Sequence, residues 1–320
     1  MRDKQQLWAS IALLGVTVAW GATFVVVQYA VTVMPVNDFL FWRFGLAALL
    51  LAVVNPRSLL RLDRRDFRRG GLLSVVLAVS YILQTVGLQY TAASVSGFIT
   101  GMFLVFVPLI SALLFRRRVP GSAWAAVGLA TVGLALLSLR GFAIGFGEFL
   151  TLLCAVGFAL HLVLLGEWSR SRTAYGLTVL QLGGAALLTG AAGLLDGGGL
   201  EAPQDSSMWL TVLFMAVVAT MAAYLIQTWA IPVLGSVRGA VILTGEPVFA
   251  GIFGVLLAGD PVTIRTVIGG ACILGAMLLV ELAPRRADSQ PQSQPQSHDP
   301  PGPDPAGPHH RGMPSTDRGG

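Results

Sequence analysis

Residues 81–85 read Tyr81-Ile82-Leu83-Gln84-Thr85, and residues 224–228 read Tyr224-Leu225-Ile226-Gln227-Thr228. The two stretches stand 143 positions apart, each within an apolar block. Ser94-Val95-Ser96-Gly97 returns as Ser236-Val237-Arg238-Gly239 at an interval of 142, and Gly128 and Gly133 return as Gly270 and Gly275 at the same interval. One offset held across three separate segments predicts an internal duplication.

The apolar blocks around these repeats decide what is duplicated. The 320-residue chain is 54% hydrophobic and only 12% charged, whereas soluble domains carry about 25% charged residues. The blocks run about 18 to 22 residues, the length a helix needs to cross a hydrocarbon core of roughly 30 Å. Spans are predicted near 8–28, 36–54, 71–90, 95–115, 122–139, 148–166, 176–195, 208–228, 238–258 and 264–282. Lipid offers no hydrogen bonds to backbone groups, so each is read as a helix.

The fold class is therefore an all-α membrane protein of ten transmembrane helices. Its halves are residues 1–142 and 143–283. Five is odd, so the second copy enters the membrane from the opposite side and the halves form two inverted five-helix repeats. Secondary transporters use that plan and bind solute where the repeats meet.

Positive charge gives the orientation. One alternating set of loops and termini holds 16 Arg and Lys residues, among them Arg57 to Arg69, Arg116–Arg118 and Arg285–Arg286, while the opposite set holds only Arg140 and Arg265. Both termini are expected in the cytoplasm, in a cell membrane. Residues 284–320 are rich in Pro, Gln and Gly with few apolar residues, which predicts a disordered cytoplasmic tail.

Several classes are excluded. Twenty of the 21 basic residues are arginines and many flank apolar blocks, which argues for membrane orientation and against nucleic acid. Cys154 and Cys272 lie in apolar blocks and read as buried thiols. The run from Leu7 to Val33 exceeds a signal-peptide core of about 7 to 15 residues, so it reads as the first span. No GxxxxGK[ST] loop or HExxH motif is present. His298, His309 and His310 fall in the tail, leaving His161 alone in the membrane domain. No enzyme activity, cofactor or metal is expected.

Thr244-Gly245-Glu246-Pro247-Val248-Phe249-Ala250, followed by Leu257-Ala258-Gly259-Asp260, resembles the ninth-helix signature of the EamA branch of the drug/metabolite transporter superfamily. Trp20-Gly21-Ala22-Thr23-Phe24, Phe41-Trp42-Arg43-Phe44 and the segment from Gly97-Phe98 through Phe106-Val107-Pro108-Leu109 carry the same likeness. Asp260 departs from it, since the family usually has Glu there. The resemblance implies ten helices, both ends inside, and transport of amino acids, related metabolites or drugs, often outward.

Polar side chains at lipid depth are costly, which marks the candidate site. Glu246 is expected about eight residues into the ninth span, as a partner for a proton or a substrate ammonium, or as a structural carboxyl near a Pro247 kink. His161 is expected at similar depth, as a proton relay with Glu246 or as a satisfied core histidine. Arg43 can bind a carboxylate, reach the headgroups or pair with Asp38. Tyr81 with Gln84, and Tyr224 with Gln227, share helix faces and are expected to line the interface of the halves. Trp20 sits at mid-span as a lining ring. Pro108 and Pro247 are hinge candidates, though not at equivalent repeat positions. Gly97 with Gly101, and Gly235 with Gly239, have the spacing of close helix packing.

The expected function is a secondary transporter of small metabolites, with protons as candidate coupling ions. The alternatives are a passive facilitator on the same scaffold, another solute class such as sugars or nucleotide sugars, or a non-transporting scaffold. The bilayer and a small solute are the expected partners; no oligomeric state is read.

Overall fold

The structure is a computed structural model that describes residues 2–116, 121–140, 143–168, 174–196, 199–234 and 242–282. The tail, Gly235 and Gly239, the Ser236–Gly239 repeat, and Arg117, Arg118, Arg170, Arg172 and Arg238 lie outside the described residues.

Prolines and caps divide the first segments. Helix α1 (Arg2–Val33) stops before Pro35, which disfavours helix in the residue ahead of it and serves as N-cap of α2 (Val36–Val54). Pro56 opens a short 3-10 helix, Pro56–Arg61. Helix α3 (Arg64–Gly87) begins with a capping box: Asp66 N–H donates to Asp63 Oδ1 at 2.7 Å, and Asp63 N–H donates to Asp66 Oδ2 at 3.2 Å.

The next span is interrupted. Helix α4 (Ala93–Gly101) passes through a turn at Met102 into α5 (Phe103–Phe115). There follow α6 (Gly121–Ser138), a two-residue hairpin pairing Leu139–Arg140 with Ala143–Ile144, α7 (Phe146–Trp168) and α8 (Ala174–Leu195). Helix α9 (Ser206–Ala216) runs through a π-turn, Val217–Ala222, into α10 (Ala223–Leu234). A turn at Thr244 precedes α11 (Gly245–Ala258), which ends on Gly259 at φ 71°, and α12 (Ile264–Leu282) completes the described bundle. The left-handed conformation at Gly259 suits a residue without Cβ.

Seven of these segments are long and apolar enough to cross a membrane; Gly121–Leu137, Gly245–Ala258 and Ile264–Leu279 are shorter apolar helices. Exposed Leu49, Val53, Leu72, Val75, Leu187 and Leu210 stand on outer faces, as lipid-facing side chains do.

The packing follows the duplication. Helices α2 and α8, and α6 and α12, are repeat mates by position, and each packs on its mate. The unlike contacts also exchange: α3 on α7 corresponds to α10 on α1, α7 on α5 to α1 on α11, and α3 on α8 to α9 on α2. Small residues permit the closest approaches. A Cβ on Gly97 would lie 2.3 Å from the Ala250 Cβ, and one on Gly21 would lie 2.8 Å from the Ala250 nitrogen.

The interruptions at Met102 and Thr244 stand 142 positions apart. Their backbones match, with φ,ψ of −59°, −14° and −63°, −11°. The breaks are thus equivalent although the prolines are not. Pro108 lies inside α5. Pro247 falls in the first turn of α11, where the missing N–H removes no helical bond.

Candidate functional site

Six spans bring one aromatic and charged cluster together. Tyr81 from α3 and Tyr224 from α10 hydrogen-bond through their side chains. These are the repeat-related tyrosines, so the two halves touch through equivalent residues. Tyr81 also meets Phe44 and Phe158 edge-on, each at a centroid distance of 4.9 Å. Trp20 stands edge-on to Tyr224 at 6.2 Å.

The π-turn anchors this cluster. A π-turn shifts the helical bonding register and leaves groups available to neighbours. Trp20 Nε1–H donates to the Ala219 carbonyl at 2.8 Å. Thr220 Oγ1 donates to the Met215 carbonyl at 2.8 Å and accepts from Arg43 Nε at 3.3 Å.

Arg43 is only 4% exposed. Its guanidinium lies 4.8 Å from the Tyr81 ring centroid and 5.4 Å from that of Phe44. The rings and Thr220 hold it in place of a carboxylate. Asp38 does not pair with it: the Asp38 Oδ2 accepts from the Glu201 backbone N–H at 3.1 Å.

Glu246 sits in the first turn of α11, where the helix dipole favours negative charge. The sequence alone sets it eight residues into an unbroken span; the turn at Thr244 places it at a helix start instead. Its half-buried carboxylate has no hydrogen-bond or ion-pair partner among the described residues. Its charge and that of Arg43 both act on Tyr81 and Tyr224. The cluster therefore holds a guanidinium and a carboxyl group that are not paired with each other directly, beside two hydroxyls.

The other candidates separate from this group. His161 Nε2 hydrogen-bonds Gln181 Oε1 at 2.7 Å between α7 and α8, so its partner is an amide and not Glu246. Gln84 Nε2–H donates to Thr100 Oγ1 at 3.2 Å, joining α3 to α4. Gln227 makes no side-chain hydrogen bond among the described residues. Asp260 ties the halves together, since its Oδ2 accepts the Ser94 backbone N–H at 2.8 Å and so caps α4 from the other repeat. Thr220, Phe44 and Phe158 belong to the cluster without having been singled out from sequence. Thr220 carried no readable signal, because nothing in an apolar run announces a π-turn.

These features define a multi-pass helical membrane protein whose duplicated halves meet at a polar cluster. The model of the EamA-like transporter family matches residues 7–139 and again residues 145–282, and the chain belongs to that family. It is 32% identical over 279 residues to an uncharacterized transporter of Archaeoglobus fulgidus, covering 87% of each chain. The Bacillus subtilis uncharacterized transporter YyaM is 22% identical over 286 residues, covering 84% of this chain and 92% of its own. A solved crystal structure aligns with a TM-score of 0.60 at 18% identity, over 88% of this chain and 99% of its own. The chain is thus a membrane transporter, with a small molecule as its cargo.

Proposed function

We propose that the protein is a secondary exporter of small metabolites, amino acids or related compounds and drugs. It crosses the cell membrane ten times as two inverted repeats, residues 1–142 and 143–283, with both termini and the tail of residues 284–320 in the cytoplasm. The exchange of contacts between halves and the equivalent breaks at Met102 and Thr244 support this plan.

The observation that carries the site is the meeting of Tyr81 and Tyr224 where the charges of both Arg43 and Glu246 act on them. A zwitterionic solute suits such a cluster. Its carboxylate would approach the Arg43 guanidinium, its ammonium the Glu246 carboxylate, and Trp20 and the tyrosines would cover its apolar part. Glu246 would release a proton or an ammonium as the site changes sides. The breaks in α4–α5 and before α11, flanked by Pro108 and Pro247, would be the hinges. His161, Gln84 and Gln227 would shape the helix interfaces around the site.

Thermal unfolding of the purified protein against a panel of amino acids and amphiphilic amines tests this reading. A bound solute raises the midpoint, by about 2.7 kcal/mol of stabilisation at a hundredfold excess over Kd. That rise is expected for a zwitterion and is expected to vanish in Glu246→Gln. If no member of the panel stabilised folded protein, the site assignment would fail. A pH gradient that leaves flux of the stabilising solute unchanged would favour a passive facilitator.

A further inference from the structure

We propose that the junction of the 3-10 helix Pro56–Arg61 with the start of α3 is a binding surface for anionic phospholipid headgroups. Residues 56–69 hold Arg57, Arg61, Arg64, Arg65, Arg68 and Arg69 against Asp63 and Asp66, a net of +4. Orienting a span needs only a loop excess of positive charge. Here the charge is also concentrated on one helix end, where it opposes the positive end of the helix dipole.

The two aspartates offer little relief. Both are engaged in the capping box, and Asp66 is buried. Arg69 stacks on Trp168 at 5.7 Å, tying α3 to the end of α7. The other five arginines are exposed and make no ion pair among the described residues. The surface thus keeps a positive charge that its own carboxylates do not balance.

Register places these arginines at headgroup depth. Leu72, Val75 and Val79 form the exposed, lipid-facing stripe of α3. Arg68 and Arg64 continue that face at the four-residue interval. At 1.5 Å per residue they stand about 6 and 12 Å beyond Leu72. Phe67 is 53% and Leu60 85% exposed among them, which suits side chains dipping into the acyl boundary while guanidiniums hold phosphates. Guanidinium forks match phosphate oxygens bidentately. An inorganic or soluble phosphate would use the arginines but leave Phe67 and Leu60 idle, so the occupant is a lipid.

The test uses full-length protein in detergent, re-lipidated with phosphatidylcholine or with an equal mixture of phosphatidylcholine and phosphatidylglycerol. Native mass spectrometry counts the retained lipids. Wild type is expected to retain phosphatidylglycerol preferentially and to lose that preference at high salt. Each Arg→Gln change among Arg57, Arg61, Arg64, Arg65 and Arg68 should lower affinity about fivefold, and Arg→Lys at the same positions should preserve most of it. Equal retention of both lipids by wild type would overturn the proposal. So would displacement by soluble glycerol phosphate as readily as by phosphatidylglycerol, or an unchanged preference in the combined Gln variant. Should that variant misfold, the salt titration and the Lys variant decide the matter.

Discussion

Replacing Gly97 by alanine probes a close approach between the halves. The added Cβ would lie 2.3 Å from the Ala250 Cβ, whereas nonbonded carbons rest at about 3.5 to 4.0 Å. The deficit exceeds about 1 Å, and neither methyl can rotate away. Helices α4 and α11 must therefore separate, disturbing the contact of Gly21 with the Phe249–Ala250 backbone. Overpacking of this kind costs about 1 to 3 kcal/mol. Ala250→Gly empties the same space from the other side. The double variant Gly97→Ala/Ala250→Gly should recover most of the loss, giving a coupling above about 1 kcal/mol. Unfolding of the four proteins in detergent measures the cycle. A Gly97→Ala variant as stable as wild type, or a loss that Ala250→Gly does not repair, would refute the packing described here.

Trp20→Phe removes the Nε1 donor to the Ala219 carbonyl while keeping an aromatic ring; unfolding should show a loss of about 0.5 to 1.5 kcal/mol. Asp260→Ala uncaps Ser94 and should cost about 0.5 to 2 kcal/mol by the same measurement, with Asp260→Glu recovering part of it. The Asp66 N–H holds the Asp63 carboxyl below its ordinary value. Its contribution is therefore complete above the unfolded value of about 3.9 and lost as pH falls through the lower folded value. Acid unfolding of Asp63→Asn should lack that component, and identical acid limbs in both proteins would contradict it.

Much of the helical plan was legible because lipid imposes length and composition on every crossing. The offset of 142 to 143 was legible because Tyr81 and Tyr224 kept their neighbours through duplication. Their direct contact was not, since periodicity places a residue on a face without saying which face it meets. The hinge reading illustrates the difference. Pro108 and Pro247 are conspicuous in sequence but occupy unlike positions, while the matched turns at Met102 and Thr244 carry no distinctive residue type. For Arg43 the sequence left a carboxylate, the headgroups and Asp38 open as partners; aromatic rings and a threonine at a π-turn hold it. For His161, the amide of Gln181 decided between relay and core residue, and a pairing 20 positions apart is invisible to local pattern.

Saturable efflux of labelled amino acids from proteoliposomes, comparing wild type with Glu246→Gln, tests most directly that cargo crosses where the repeats meet. Wild-type flux is expected to exceed that of empty vesicles and to fall tenfold or more in Glu246→Gln, about 1.4 kcal/mol or more in the limiting barrier. Undiminished flux through folded Glu246→Gln protein would contradict the assignment of the site.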